Sequence, residues 1–215
     1  MSIHREGYPF IAIFAAVNLL AFLFAAWAGW LLLPITIWCI AFFRDPERKI
    51  PEEPGLIICP ADGKLLPIVD AVPPAELGMG NRPRPRLSIF MNVFNVHVNR
   101  NPVSGNVVAL AYRPGKFFNA SFDKASIDNE RMSIRLRLEG ESTDAKDLAV
   151  VQIAGLVARR IVCDRVQGEG VRRGARFGII RFGSRVDVFL PPGTEILVQA
   201  GITTRAGETV LARFV

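Results

Sequence analysis

The chain has 215 residues, 50% of them hydrophobic, with a mean hydropathy of +0.28 and a formal charge of +6. The apolar residues are unevenly spread: from Tyr8 to Phe43 no side chain is charged, and nearly all the charge lies beyond. This excludes a simple soluble globule, a disordered chain and a polytopic transporter, since only one segment can enter hydrocarbon.

A bilayer core of about 30 Å takes roughly 20 helical residues, so the uncharged run is generous for one span and tight for two. Gly29 and Pro34 divide it into Phe10–Trp27 and Trp30–Phe43. Proline inside a helix removes a donor and crowds the preceding turn. The expectation is one kinked or two short helices: a membrane-embedded hairpin, or one span followed by a broken interfacial stretch. A cleavable signal has an apolar core of about 7–15 residues and a small-residue cleavage site; this run is longer and lacks such a site. Arg5 precedes it, and Arg44, Arg48 and Lys49 follow. Positive flanks on both sides favour a hairpin with both ends in the cytoplasm.

Beyond Phe43 the pattern is that of strands. Short apolar or alternating runs occur at Leu56–Cys59, Lys64–Val69, Arg86–Phe90, Val93–Val98, Val107–Tyr112, Met132–Leu138, Ala149–Ala154, Arg160–Val166, Arg176–Phe182, Arg185–Leu190 and Glu195–Val198. Met132–Leu138 alternates with a period of two, as a half-buried strand requires. Turns are signalled at Pro114-Gly115, Glu139-Gly140 and Pro192-Gly193, and Leu156–Arg159 hints at a helical turn. The fold class predicted is mainly β: an antiparallel sandwich or barrel preceded by the helical hairpin.

The proline-rich stretch Pro73–Arg86 reads as a stiff loop carrying Arg82, Arg84 and Arg86, suited to anionic head groups or to solvent. No nucleic-acid-binding motif accompanies the basic charge. Cys39, Cys59 and Cys163 have neither metal-ligand nor redox spacing, and their odd number argues against a full disulfide framework. They read as buried free thiols.

Histidine is scarce: His4 lies in the N-terminal segment and His97 in Val93–Val98. A structural strand histidine is the simpler reading of His97, but a histidine base, if the chain uses one, would have to be His97. No second histidine or cysteine is spaced to complete a metal site. Asp62 sits in the turn Pro60-Ala61-Asp62-Gly63, and Ser184 in Phe182-Gly183-Ser184. Either is most simply a turn former.

In combination these segments resemble the phosphatidylserine decarboxylase family, in its short, membrane-anchored form. The resemblance rests on Phe43-Arg44-Asp45-Pro46, Pro60-Ala61-Asp62-Gly63, His97 followed by Asn101-Pro102-Val103-Ser104-Gly105, and Phe182-Gly183-Ser184. Tyr112-Arg113-Pro114-Gly115-Lys116-Phe117, Asp123-Lys124-Ala125-Ser126 and Asn129-Glu130-Arg131 extend it over residues 43–215. It implies a self-processing enzyme with no metal, whose cofactor is a covalent pyruvoyl group derived from Ser184. Ser184 would attack the Gly183 carbonyl, with His97 as base and Asp62 orienting the imidazole. Cleavage between Gly183 and Ser184 would give a β chain 1–183 and an α chain 184–215 that stay together as a heterodimer, open to further oligomerisation. The domains implied are an anchor, 1–43, and a decarboxylase domain, 44–215. The substrate amine would form a Schiff base with the pyruvoyl carbonyl, and loss of carbon dioxide would convert phosphatidylserine to phosphatidylethanolamine.

With the positive flanks, the reading is an inner-membrane location with the catalytic domain on the cytoplasmic face; the basic charge suits an anionic membrane surface as partner, and no role for nucleic acid is expected. Longer family members carry a second histidine three residues before the base. Here that position is Phe94, read instead as an apolar wall of the substrate pocket. Arg113 and Lys116 are candidate contacts for the substrate phosphate on charge grounds. Two rival readings use the same residues: a membrane-anchored serine hydrolase built on Ser184, His97 and Asp62, and a lipoyl-like carrier modified at Lys124.

Overall fold

The computed structural model describes residues 2–118, 120, 128–139, 146–155, 160–181 and 183–214. The chain forms two compact units, Met1–Glu47 with Phe94–Val96, and Arg48–Val93 with His97–Val215.

In the first unit the strand β1 (Ser2–Ile3) leads through a short 3-10 turn into two helices, α1 (Tyr8–Phe24) and α2 (Ala26–Phe42), followed by β2 (Arg44–Asp45). Only Ala25 separates the helices, and its extended backbone (φ −156°, ψ 102°) breaks the helical path. Near this break Asn18 Nδ2 donates to the Gly29 carbonyl at 2.9 Å, and Phe22 meets Trp30 edge-on with centroids 5.5 Å apart. At the far end Phe10 stacks on Phe43, and β1 pairs antiparallel with β2. The helices therefore run antiparallel as a hairpin, clasped where the chain enters and leaves. The sequence predicts the division at Gly29 and Pro34, but it falls at Ala25. Gly29 instead permits close approach, since a Cβ there would lie 2.3 Å from Phe22 Cγ. Pro34 sits inside α2 without ending it, a placement that apolar helices tolerate. His4 is buried and caps the 3-10 turn, accepting from the Glu6 amide.

The second unit contains β3 (Leu56–Ile58), β4 (Gly63–Leu65), β5 (Val69–Ala71), β6 (Arg84–Met91), β7 (Val98–Arg100), β8 (Gly105–Arg113), β9 (Arg131–Leu138), β10 (Leu148–Ala154), β11 (Ile161–Cys163), β12 (Gly170–Val171), β13 (Arg176–Ile180), β14 (Ser184–Phe189), β15 (Thr194–Ile196), β16 (Thr203–Thr204) and β17 (Val210–Phe214). The main sheet has the order β12-β8-β9-β10-β14-β6-β4-β16, with β5 also on β6. Two smaller sheets, β11-β13-β7 and β15-β17-β3, complete an antiparallel, sandwich-like architecture. The main core joins one face of the large sheet (Leu87, Ile89, Val150, Val186, Val188) to Ile57, Phe177 and Leu211 of the smaller sheets.

Along β9 the expected alternation holds: Ile134 and Leu136 enter the main core, and Ser133, Arg135 and Arg137 face the other way. That second face is covered too, because Leu77 and Met79 pack on Ala149, Val151, Ile153 and Phe189. Ser133 and Arg135 are consequently buried, where the pattern predicts a strand half open to water. Two further expectations are revised. Val93–Val98 is not a strand, and His97 immediately precedes β7. Arg84 and Arg86 belong to β6 rather than to a loop, with Arg84 Nη1 donating to the Asp147 carbonyl at 2.8 Å. Strand β17, which the sequence reading passes over, pairs with β3 and β15. The expected turn at Leu156–Arg159 lies outside the described residues, as does Lys124.

Candidate active site

Ser184 is the first residue of β14 and is fully buried. Its register partners are Met91 on β6 and Ala154 on β10, so neighbouring strands grip it on both sides. Among the described residues Ser184 Oγ has no hydrogen-bond partner. A buried hydroxyl without a partner costs free energy on the order of 1–3 kcal/mol, and a catalytic role is one explanation of such a group.

Gly183 has a φ of +64°, a conformation that side chains disfavour. Its carbonyl oxygen lies against the backbone of Gly155, where a Cβ would come within 1.9 Å of it. Gly155 follows β10, and the end of that strand is held by Asn129. The Asn129 amide donates to the Ala154 carbonyl at 2.7 Å and to the Phe118 carbonyl at 2.8 Å, while its Oδ1 accepts from the Phe118 amide at 3.0 Å. Ala154 N in turn donates to the Glu130 carbonyl at 2.9 Å. Gly155 and Asn129 thus frame the Gly183–Ser184 bond, a role the sequence reading misses for Gly155. A glycine at a strand end signals close backbone approach, but nothing in the sequence says what approaches.

His97 is fully buried, and its carbonyl accepts from Ile180 N at 3.4 Å. Met91 pairs with Ser184, and His97 is bonded to Ile180, four residues before Ser184 in the chain. Asp62 approaches the same stretch from β4: Lys64 pairs with Phe90, and Arg100 N donates to the Pro60 carbonyl at 2.9 Å. A Cβ at Gly63 would stand 2.2 Å from the Phe90 carbonyl oxygen, so this turn needs glycine. The Asp62 carboxylate accepts from Arg48 Nη2 through both oxygens, at 3.0 and 2.8 Å, and from Ala206 N at 2.7 Å. Beside Ser184's neighbour Met91 lies a buried amide pair, Asn99 and Gln152: Gln152 Nε2 donates to Asn99 Oδ1 at 2.8 Å, and Asn99 Nδ2 to Met91 Sδ at 3.7 Å.

Three further candidates are Phe94, Lys116 and Arg113. Phe94 is 71% exposed, and its carbonyl accepts from Arg44 Nη2 at 2.7 Å within the hairpin unit. Lys116 is exposed, with its ammonium 5.6 Å from the Phe118 ring. Arg113 ends β8 on the sheet face away from Ser184 and lines a cavity there. Among the described residues no three His, Cys, Asp or Glu side chains converge as a metal site.

A serine hydroxyl with no partner among the described residues, directly after a left-handed glycine whose carbonyl sits in a cradle too tight for a Cβ, is compatible with a group generated from Ser184 itself. Comparison with known proteins gives the class. The phosphatidylserine decarboxylase family model matches residues 35–212. The chain is 58% identical over 209 residues to a phosphatidylserine decarboxylase proenzyme of Cereibacter sphaeroides, covering 97% of this chain and 88% of the relative. It is 56% identical over 209 residues to one of Ruegeria pomeroyi, covering 97% and 94%. The chain belongs to the phosphatidylserine decarboxylase family and is a carboxy-lyase.

Proposed function

We propose that this chain converts phosphatidylserine to phosphatidylethanolamine through a pyruvoyl group that it makes from its own Ser184. The observation that carries this is the buried Ser184 hydroxyl, without a partner among the described residues, beside the Gly183 carbonyl held on Gly155, in a member of this family.

In the self-cleavage, His97 takes the Ser184 hydroxyl proton and the oxygen attacks the Gly183 carbonyl carbon. The peptide C–N bond breaks and an ester forms, with the proton passing to the freed amine. Loss of the Ser184 Cα proton then expels the Gly183 carboxylate by Cβ–O cleavage. Water replaces the enamine nitrogen, releases ammonia and leaves the pyruvoyl end. Asp62 is assigned to hold His97 in place; Arg48 and the Ala206 amide fix its carboxylate in a rigid turn. When present, the pyruvoyl group supplies a carbonyl for the substrate amine and an electron sink for the carbanion left by departing carbon dioxide. The sheet keeps the two products together, since β14 opens the α chain between β6 and β10 of the β chain.

The hairpin of residues 1–43 tethers the catalytic region, 44–215, to the inner membrane where the lipid substrate resides. The helix Arg5–Phe24, with mean hydropathy 2.0, is long and apolar enough to cross a bilayer by length and composition. Positive charge at both ends of the hairpin favours the cytoplasmic face, where an anionic lipid surface attracts a basic chain.

The intact mass of the purified protein, before and after borohydride, tests the reading. Two fragments with masses split after Gly183 are expected, with a reducible carbonyl on the smaller. Ser184→Ala should yield one uncut, inactive chain; normal cleavage in that variant overturns the assignment. An uncut wild-type chain whose Ser184 is labelled by an acylating probe would indicate a hydrolase instead.

A further inference from the structure

Alternation along β14 turns Ser184, Val186 and Val188 toward the main core, and alternation along β10 turns Val150, Gln152 and Ala154 to the same face. In the register Ala154 stands opposite Ser184, and Gln152 opposite Val186. Gln152 is therefore the diagonal neighbour of Ser184 on one face, at a separation that a long side chain crosses. Asn99 comes to this row from β7, in one of the small sheets. It accepts from Gln152 Nε2 at 2.8 Å, and its Nδ2 lies 3.7 Å from Met91 Sδ on β6. Met91 is the register partner of Ser184 on the other side. The amide pair thus bridges from β10 to β6 over the intervening strand β14. Gln152, Asn99 and Ser184 are all fully buried.

The direction of this network follows from its far end. A thioether sulfur accepts but cannot donate, so Asn99 turns its NH2 to Met91 and its oxygen to Gln152. Gln152 must then donate, which leaves Oε1 as the unused acceptor. Among the described residues Gln152 Oε1 is buried without a hydrogen-bond partner, as is Ser184 Oγ. An unsatisfied buried acceptor is costly in the resting chain, and a donor that appears during the reaction offsets that cost.

We propose that Gln152 takes part in self-cleavage as the acceptor for the amine freed from Ser184, with Asn99 as its positioning residue, a role that rests on the pyruvoyl reading. Attack of Ser184 Oγ on the Gly183 carbonyl carbon forms the ester C–O bond and breaks the peptide C–N bond. The hydroxyl proton passes through His97 to the departing nitrogen, so one amide N–H becomes an amine with two. The new N–H has no place in the strand ladder, and a buried donor without an acceptor is costly. Gln152 Oε1 supplies that acceptor on the face to which the serine side chain belongs, and so favours the ester over the amide.

A gel time course of newly synthesised full-length chain, with and without hydroxylamine, tests this. Hydroxylamine cuts an ester and spares the amide, so it reads the acyl shift apart from the later elimination. Gln152→Met keeps the side-chain length and removes the acceptor; both cleavages should slow about tenfold or more. Gln152→Glu, its buried carboxyl kept neutral, donates to Asn99 through its hydroxyl and retains the carbonyl oxygen. It should cleave about fivefold or more faster than Gln152→Met. Packing alone predicts the opposite order, since an apolar side chain of matched volume is tolerated and a buried carboxyl is not. Should Gln152→Met fail to fold, Gln152→Asn takes its place: the oxygen retreats by one methylene, and the same slowing is expected. A wild-type rate in whichever of these two folds, Gln152→Met cleaving no slower than Gln152→Glu, or unchanged hydroxylamine cleavage would overturn the proposal. A wild-type chain that stays uncut even in hydroxylamine would instead overturn the pyruvoyl reading itself.

Discussion

A methyl group at residue 155 would stand 1.9 Å from the Gly183 oxygen, so Gly155→Ala must displace either β10 or the carbonyl that Ser184 is proposed to attack. Attack geometry is sensitive to displacements of about an ångström, and self-cleavage should slow tenfold or more in a gel time course of newly synthesised chain. Cleavage at the wild-type rate would show that the carbonyl needs no such cradle. Cys59 tests the core at the same scale. It is fully buried, and burial pushes its thiol up to about 12, outweighing the Thr204 hydrogen bond. At pH 8 the native protein should hold about a thousandfold less Cys59 thiolate than an ordinary cysteine gives. A maleimide should therefore spare Cys59 until the protein is denatured, as peptide mapping by mass spectrometry would show. Such residues also mark how far the site is legible in sequence. Ser184, His97 and Asp62 stand out because scarce or turn-forming residue types recur in a familiar order. Gly155 does not, because its role depends on a carbonyl brought to it from 28 positions along the chain.

At the scale of elements, β9 and β10 meet over one buried carboxylate. Asp147 is fully buried and accepts from Arg135 Nε at 2.6 Å and from Arg137 Nε and Nη2 at 3.1 Å. Removing one partner of a buried ion pair costs about 3–5 kcal/mol, because it strands the other charge. Asp147→Asn should lower stability by about that much in chemical denaturation. Glu53→Gln, which breaks an ion pair whose side chains are 50% and 72% exposed, should change it by less than about 1 kcal/mol. The segment covering this face has its own pH dependence. Burial acts to raise the Glu76 carboxyl, but hydrogen bonding and charge from Arg131 more than offset it, so its pKa is lowered. A depressed carboxyl contributes stability above its unfolded value of about 4.3 and loses it as pH falls through the folded value. Glu76→Gln should therefore cost stability at pH 7, and the difference from wild type in melting temperature should vanish at strongly acid pH. The strands themselves are readable from period-two patterns, as β9 shows. That both faces of the sheet are covered is not, since Arg135 and Ser133 look like solvent-facing residues until Asp147 and the segment around Leu77 fold over them.

For the whole molecule, the two arms of the hairpin set how deeply it can insert. α1 and α2 have 17 residues each, about 25 Å at 1.5 Å per residue; with the turn from Arg5 the first arm reaches 20 residues, the length that a hydrocarbon core of about 30 Å takes. The β1 and β2 pairing keeps both ends of the hairpin together, so a hairpin inserted as proposed would enter and leave from one side, with Ala25 at its deepest point. Along the arms Val17, Leu20, Leu31 and Ile35 are exposed large apolar side chains, a surface of the kind that marks contact with lipid or a partner. Val17 and Ile35 lie near mid-arm, where an arginine costs about 2.5–3.5 kcal/mol on insertion. The pair Val17→Arg and Ile35→Arg should therefore move the chain out of the carbonate-resistant membrane fraction. By contrast, Arg5→Gln leaves the apolar arms intact and should not. The paired outcome separates insertion from simple charge attraction: if the arms held the membrane only through their basic flanks, Arg5→Gln would release the chain and the mid-arm arginines would tighten it.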